Sequence, residues 1–102
     1  MNNELEALPE SIGELTNLRK LMLANNLLSS LPEGIGNLKQ LTDLDLRSNM
    51  LTHLPESFGH LQNLRFLDLR DNQLRVIPKG ILELIHLEKI DLRLNKRLEV
   101  PS

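Results

Sequence analysis

The sequence has 102 residues, with 12 basic and 14 acidic side chains, two aromatic residues and no cysteine. This balance offers no positive surface for the phosphates of a nucleic acid, and two aromatic residues cannot form a base-stacking platform. The lack of cysteine excludes disulfides, thiol catalysis and cysteine-bound zinc, and no window approaches the ~18 consecutive apolar residues of a membrane span.

The chain length predicts a single domain over residues 1–102. The first residues, Met-Asn-Asn-Glu-Leu-Glu, contain neither the basic nor the apolar stretch of a signal peptide. The lack of cysteine also fits a reducing compartment. These features favour a cytoplasmic protein with neither a nucleic-acid nor a membrane partner, unless the chain is a fragment of a longer one.

A period of 23 residues organises the whole sequence. Prolines recur at this spacing at Pro9, Pro32, Pro55, Pro78 and Pro101. Asparagines recur at the same spacing at Asn3, Asn26, Asn49, Asn72 and Asn95. Such self-similarity is typical of a solenoid, in which each structural unit stacks on the next. It divides the chain into a partial N-terminal repeat at 1–7, repeats at 8–30, 31–53 and 54–76, and a terminating repeat at 77–100.

Each unit begins with an apolar residue and a proline, followed in three units by Glu10, Glu33 or Glu56. Proline is tolerated in the first turn of a helix, and a carboxylate is favourable near its positive end, so a short helical turn is predicted here. The recurring Gly13, Gly36 and Gly59 suggest a backbone requirement in this turn. The apolar residues around them are expected to point into the core: Ile12, Leu15, Ile35, Leu38, Phe58, Leu61, Ile81 and Leu84.

A short strand is predicted later in each unit. In the second unit, Leu44 and Leu46 alternate with Asp43, Asp45 and Arg47, a period of two that indicates one buried face. Since every unit supplies one strand, stacked units form a parallel sheet. The asparagine that follows is a polar residue in an apolar frame, and a buried amide there requires hydrogen-bond partners in the turn.

The units share the pattern L-x-x-L-x-L-x-x-N-x-L, for example at Leu41, Leu44, Leu46, Asn49 and Leu51. This pattern resembles the leucine-rich-repeat family over essentially the whole chain. The 23-residue unit with L-P-x-x-I-G-x-L is similar to the cytosolic type of Ras-pathway scaffolds, plant intracellular Ras-group-related proteins and bacterial repeat proteins.

The resemblance implies an α/β fold. This is a right-handed solenoid with a curved parallel β-sheet on the concave side and short helical or 3-10 turns on the convex side. The resemblance also implies a structural hydrogen-bonded ladder formed by Asn26, Asn49, Asn72 and Asn95.

Members of the family usually bind partners on the concave surface, so the resemblance also suggests a binding site. The outward-facing strand residues are the candidates: Lys20, Met22, Asp43, Asp45, Arg47, Phe66, Asp68, Arg70, Lys89, Asp91 and Arg93. Among them, an exposed aromatic such as Phe66 in the middle of a sheet, flanked by Met22, has the profile of an interface anchor. The alternative is a surface aromatic that neighbouring side chains partly cover.

The triplet Asp-Leu-Arg recurs at 45–47, 68–70 and 91–93. Neighbouring strands lie ~4.8 Å apart, so the three aspartates would repel one another unless the parallel row of arginines compensates them. One interpretation is a self-neutralised surface network. Another is a patterned row that recognises a complementary charged segment. A divalent-cation site on the aspartates is the least favoured, because an arginine accompanies each one.

The N-terminal end departs from the regular unit. Asn3, Leu5 and Leu8 match the asparagine, the following leucine and the residue before proline. The pattern therefore begins inside a repeat, with no strand before Asn3 and no polar cap, which solenoids normally need. This indicates either a fragment of a longer protein or an open end that associates with something.

The last unit is also irregular. Leu82 replaces the glycine, Ile85 replaces a polar residue, and Leu94 lies at the strand edge. Arg97 falls in a leucine slot with Leu98 one residue later, so Leu98 is expected to fill that slot in a rearranged turn.

The sequence predicts no catalytic, cofactor or metal site. His53, His60 and His86 occupy three different positions of the repeat and are expected to be solvated. The leading hypothesis is a non-catalytic scaffold that binds another protein through its concave strand face. The alternatives are a structural or self-associating module, such as a homodimer joined end to end through uncapped terminal repeats, and a fragment of a larger regulatory protein.

Overall fold

The computed structural model describes residues 3–77 and 79–99. Four 3-10 helices alternate with four β-strands along this part of the chain. The helices span Glu10–Glu14, Glu33–Asn37, Glu56–His60 and Lys79–Glu83. The strands are β1 (Lys20–Met22), β2 (Asp43–Asp45), β3 (Phe66–Asp68) and β4 (Lys89–Asp91). Each full repeat thus supplies one short helix and one strand, as the 23-residue period predicts.

The four strands form one parallel sheet in the order β1-β2-β3-β4. Equivalent residues of successive repeats pair across it, so that Leu21, Leu44, Leu67 and Ile90 form one row. Leu44 and Leu67 are buried, whereas the residues that flank them point away from the core. Neighbouring helices pack against one another on the opposite side. The parallel sheet and the short 3-10 turns confirm the predicted fold class.

The core between the sheet and the helices consists almost entirely of leucine. Phe58 is fully buried and takes the place that Ile35 occupies in the preceding repeat. Leu38, Leu61 and Leu84 are buried as predicted, but Leu15 is 52% exposed, so its predicted inward position is wrong. The equivalent leucines are covered by the repeat that precedes them. Leu15 directly follows the first helix, and nothing in the described chain covers it from the N-terminal side.

The prolines stand just before the helices, where their backbone is extended. Pro9, Pro32 and Pro55 have φ between -66° and -72°, and each carbonyl accepts a hydrogen bond from the amide three residues later. The sequence predicts these prolines inside the first turn of the helix, but Pro9, Pro32 and Pro55 instead precede that turn as the N-terminal capping residues of the first three helices. The recurring Pro78 and Pro101 lie outside the described residues.

Four buried asparagines bind successive repeats together. The Asn72 side-chain amide donates to the carbonyls of Leu46, Leu69 and Arg70 at 2.9–3.2 Å. Its Oδ1 accepts the amide of Leu51 at 3.0 Å. Since Leu46 and Leu51 belong to the preceding repeat, one side chain joins two turns. Asn49 makes the same set of contacts one repeat earlier, and parts of the set recur at Asn26 and Asn95.

Glycine is required on the convex side because successive helices touch through their backbones. A Cβ atom added to Gly36 would lie 2.5 Å from the Ser57 carbonyl oxygen of the next repeat. One added to Gly13 would lie 2.6 Å from the Gly34 carbonyl oxygen. Real Cβ atoms do not approach an oxygen so closely, so a side chain here would force neighbouring repeats apart. Leu82 occupies the equivalent position of the last helix and is 88% exposed.

The turn after each strand adopts a left-handed backbone. Asn25, Ser48, Asp71 and Leu94 have φ between 55° and 66°. Asparagine and aspartate tolerate this conformation because their side chains can bond locally, whereas leucine does not. Leu94, which is also largely exposed, is therefore the strained member of the set. In the last turn, Leu98 packs against the core and Arg97 is exposed. Leu98 therefore takes the core position that a leucine one residue earlier occupies in the other repeats.

Candidate protein-binding surface

The outward side of the sheet arranges its side chains in straight columns. The strand register aligns Lys20, Asp43, Phe66 and Lys89 in one column. It aligns Met22, Asp45, Asp68 and Asp91 in the next. Arginines 47, 70 and 93 follow two residues after the aspartates. An acidic column therefore lies beside a basic one.

These columns border a shallow open groove of about 310 Å³. Nine of the eleven residues that the sequence nominates for binding line it, together with Leu44 and Leu67. Lys20 and Arg47 lie outside the lining. We name this surface the concave groove; its lining is Met22, Asp43, Leu44, Asp45, Phe66, Leu67, Asp68, Arg70, Lys89, Asp91 and Arg93.

Ion pairs order two of the three Asp-Leu-Arg triplets. Arg70 donates from Nε and Nη2 to both carboxylate oxygens of Asp68, at 2.7–3.1 Å. Arg93 binds Asp91 in the same two-pronged manner, at 2.7–3.2 Å. Arg70 Nε also lies 3.6 Å from Asp91 Oδ2 on the next strand. In the remaining triplet, Arg47 Nε lies 3.4 Å from Asp45 Oδ2. Asp68, Arg70, Asp91 and Arg93 thus form a connected network, and Asp45 and Arg47 form a separate pair beside it.

The network favours the ionised carboxylates. Hydrogen bonds from the Arg93 side chain lower the pKa of Asp91 to about 2. The bonds from Arg70 likewise lower the pKa of Asp68. The partly buried setting of each carboxylate opposes this shift, so the arginine contacts outweigh desolvation.

Acid should weaken the fold through these pairs. The pKa of Asp91 is about 2 in the folded chain and about 4 when the chain is unfolded. The stability from its ionised form is therefore complete above about pH 4 and is lost as the pH falls through about 2. Across this window, the Tm of the wild type should fall more steeply than that of Arg93→Gln, in which Asp91 loses its hydrogen-bonded arginine and keeps the longer contact with Arg70. Thermal unfolding followed by circular dichroism measures both, and parallel curves would contradict the assignment.

Two apolar side chains stand out in the concave groove. Met22 is 57% exposed and Phe66 is 40% exposed. The Arg65 guanidinium lies over one face of the Phe66 ring, 5.4 Å from its centroid, and Arg65 is itself paired with Glu88. Phe66 is therefore held in place on one side by a cation and open on the other. This arrangement fits a surface aromatic that a neighbouring side chain partly covers, and the role of Phe66 as an interface anchor stays a prediction.

A second cleft, of about 430 Å³, lies where the chain enters the strands. It is polar, and Thr42 and Asn63 in its lining bind backbone carbonyls of the preceding repeat. The sequence pattern did not point to this cleft, although its lining residues recur at fixed repeat positions, one and three residues before the strands. The lining is Arg19, Gln40, Thr42, Asn63, Arg65, His86 and Glu88.

The three histidines are exposed and lie at separate places on the repeats. Over residues 3–77 and 79–99, no three histidine, aspartate or glutamate side chains converge as ligands for a metal ion. Within the same described ranges, no helix is long and apolar enough to cross a membrane.

Sequence comparison identifies the architecture. The family described as leucine-rich repeat region matches residues 2–97. The chain belongs to the leucine-rich-repeat family. This leucine-rich-repeat protein has no significant match among curated proteins.

Solved structures resemble this leucine-rich-repeat chain closely. LRR protein LIC12759 of Leptospira interrogans is 46% identical, with a TM-score of 0.84 over 87% of this chain and 22% of its own. Listeria monocytogenes InlP is 35% identical, with a TM-score of 0.72 over 83% of this chain and 23% of its own. The BIR3–SERK2 complex of Arabidopsis thaliana gives 34% identity and a TM-score of 0.67, over 74% of this chain and 43% of the matched one. The chain thus spans less than half the length of each of these relatives.

Proposed function

We propose that the chain is a non-catalytic module that binds a protein partner through the concave groove and acts as a cytoplasmic scaffold. The leucine-rich-repeat fold is generally a protein-interaction module, and one of the similar structures is a complex between two proteins. The observation that carries the proposal is the pair of exposed apolar side chains, Met22 and Phe66, within an ordered charged surface. Apolar anchors surrounded by positioned polar groups are the usual energetic centres of protein interfaces.

Charge order supports the same surface. The bonds between Arg70 and Asp68, and between Arg93 and Asp91, fix side chains that would otherwise lose conformational freedom on binding. A protein partner would therefore bind charged side chains that are already held in position. Such a pattern contributes more to specificity and association rate than to affinity.

Phe66→Ala should weaken the partner's affinity by at least about 1 kcal/mol, because it removes the anchor from the groove. The partner is first captured from the native host with the wild-type chain, and its Kd for each variant is then measured by calorimetry. Val76→Ala is the matched control, since Val76 is also exposed but lies outside the groove. Equal affinity of wild type and Phe66→Ala would remove Phe66 from the interface.

A second candidate function is self-association through the terminal repeats. Leu82 and Ile85 are 88% and 82% exposed in the last repeat. At the other end, Leu5 is exposed in the partial N-terminal repeat and Leu15 in the repeat that follows. If these ends join, Leu82→Asp should convert a dimer to a monomer and leave partner binding at the groove unchanged. Light scattering after size exclusion measures this, and a wild type that is monomeric at high concentration excludes the candidate.

A further inference from the structure

The acidic column of the concave groove is unevenly neutralised. Asp68 and Asp91 each receive a two-pronged set of hydrogen bonds from an arginine side chain. Asp45 receives none from an arginine side chain among the described residues; its nearest cation is Arg47 Nε at 3.4 Å. Over residues 3–77 and 79–99, the Asp45 Oδ1 accepts a hydrogen bond only from the Arg47 backbone amide, at 3.2 Å. Of the three aspartates, Asp45 therefore keeps the most capacity to bind a cation.

The cause lies in the first repeat. Arg70 reaches beyond its own strand to Asp91 on the next, so an arginine can serve the following aspartate as well as its own. The residue that would serve Asp45 in this way is at position 24, and it is an alanine. The first repeat also carries Met22 in place of the aspartate, directly beside Asp45 in the register. The aspartates and arginines therefore extend over β2, β3 and β4 but not over β1, where Met22 and Ala24 take their positions. The small side chain of Ala24 leaves space beside Asp45, next to the exposed Met22.

We infer that this open place, bounded by Met22, Ala24 and Asp45, receives an arginine side chain of the protein partner. The inference rests on the proposed function of the concave groove. The guanidinium approaches Asp45 from the side of position 24 and binds it through two hydrogen bonds, as Arg70 binds Asp68, and the aliphatic part of the side chain lies along Met22. An apolar neighbour of that arginine in the partner's segment extends along the groove toward Phe66.

The charge of the surface supports a cationic guest. Among the aspartates of the lining, Asp68 and Asp91 are bound closely by arginine side chains, whereas Asp45 has a longer contact with Arg47, at 3.4 Å, so its carboxylate can still accept hydrogen bonds from a cation. A planar guanidinium also binds a carboxylate through two parallel hydrogen bonds, which an ammonium group cannot do. The chemistry therefore selects arginine over lysine.

The test uses two probe peptides, acetyl-Leu-Arg-Leu-amide and the same peptide with citrulline, which keeps the shape of arginine without its charge. Binding is followed by the NMR shift of the Met22 methyl group. The arginine peptide should bind the wild type about tenfold more tightly than the citrulline peptide, since a hydrogen-bonded charge pair is lost. No difference between the two peptides, including no binding by either, overturns the inference.

Ala24→Arg fills the open place from within the chain. It should weaken the arginine peptide about tenfold, as should Asp45→Asn, which removes the acceptor charge. Thr16→Arg is the matched control, because it adds the same charge to the same repeat at an exposed position outside the groove. Unchanged peptide affinity in Ala24→Arg contradicts the assignment.

These outcomes separate the arginine site from the proposed function. If the peptides show no preference for arginine while Phe66→Ala still weakens the captured partner, the groove binds proteins without this site. If neither result appears, the proposed function fails with it.

Discussion

Asn72→Ala is expected to lower the free energy of unfolding by about 3–4 kcal/mol, because it leaves buried backbone groups without partners. The Asn72 side chain satisfies three carbonyls and the amide of Leu51, and it is only 5% exposed. Water cannot replace it without opening the contact between two repeats. A loss of this size is a large part of the stability of so small a domain.

Urea denaturation measures the loss. Asn63→Ala is the matched control, since Asn63 is exposed and its amide donates a single hydrogen bond, to the Lys39 carbonyl at 2.8 Å. The control should change the free energy of unfolding by less than about 1 kcal/mol. Similar losses in the two variants would show that the buried asparagine is not a principal link between repeats.

Gly36→Leu should destabilise the fold by about 3 kcal/mol, because the side chain collides with the next repeat. Its first carbon alone would lie 2.5 Å from the Ser57 carbonyl oxygen and 2.6 Å from Ser57 Cβ. Both atoms belong to the helix packed against it, so relief requires a backbone shift. Such a shift would separate the two repeats and weaken the packing of the leucine core between them.

Leu82→Gly makes the reverse exchange at the equivalent position of the last repeat. Since Leu82 is 88% exposed, its removal should change stability by less than about 1 kcal/mol. Comparing the two variants in urea separates the need for glycine from the properties of leucine itself. If Gly36→Leu were as mild as Leu82→Gly, the close approach of the helices would not be what selects glycine.

The repeated unit explains why the fold could be predicted from sequence. The same alternation that buries Leu44 recurs one unit later at Leu67, and parallel pairing follows once units of equal length stack. The members of each column of the concave groove then follow from the 23-residue period, because equivalent positions of successive repeats pair across the sheet. The fold could be predicted because every repeat has the same order of short helix, strand and turn.

Features that depend on a neighbouring repeat could not be predicted. The unit pattern gives Leu15 and Leu38 the same place, yet only Leu38 has a preceding repeat to cover it in the described chain. Gly34 lies outside the recurring glycine position, yet a Cβ there would lie 2.6 Å from the Glu10 carbonyl oxygen. Such contacts depend on how closely neighbouring repeats pack, and the sequence of a single repeat does not specify that distance.

The candidate surface was predictable in outline only. Counting places Asp45, Asp68 and Asp91 in one column, but it does not show that Arg70 and Arg93 bind their aspartates closely while Arg47 does not. That difference depends on side-chain conformation. It is the basis for the choice of Asp45 in the proposed arginine site.

Oxidative footprinting of the chain, alone and with its captured partner, tests most directly whether the concave groove is the binding surface. Met22 in the groove and Met50 outside it are 57% and 45% exposed, so hydroxyl radicals should oxidise both in the free chain. The partner should protect Met22 and Phe66 and leave the oxidation of Met50 unchanged. Protection of Met50 with continued oxidation of Met22 and Phe66 would contradict binding at the groove.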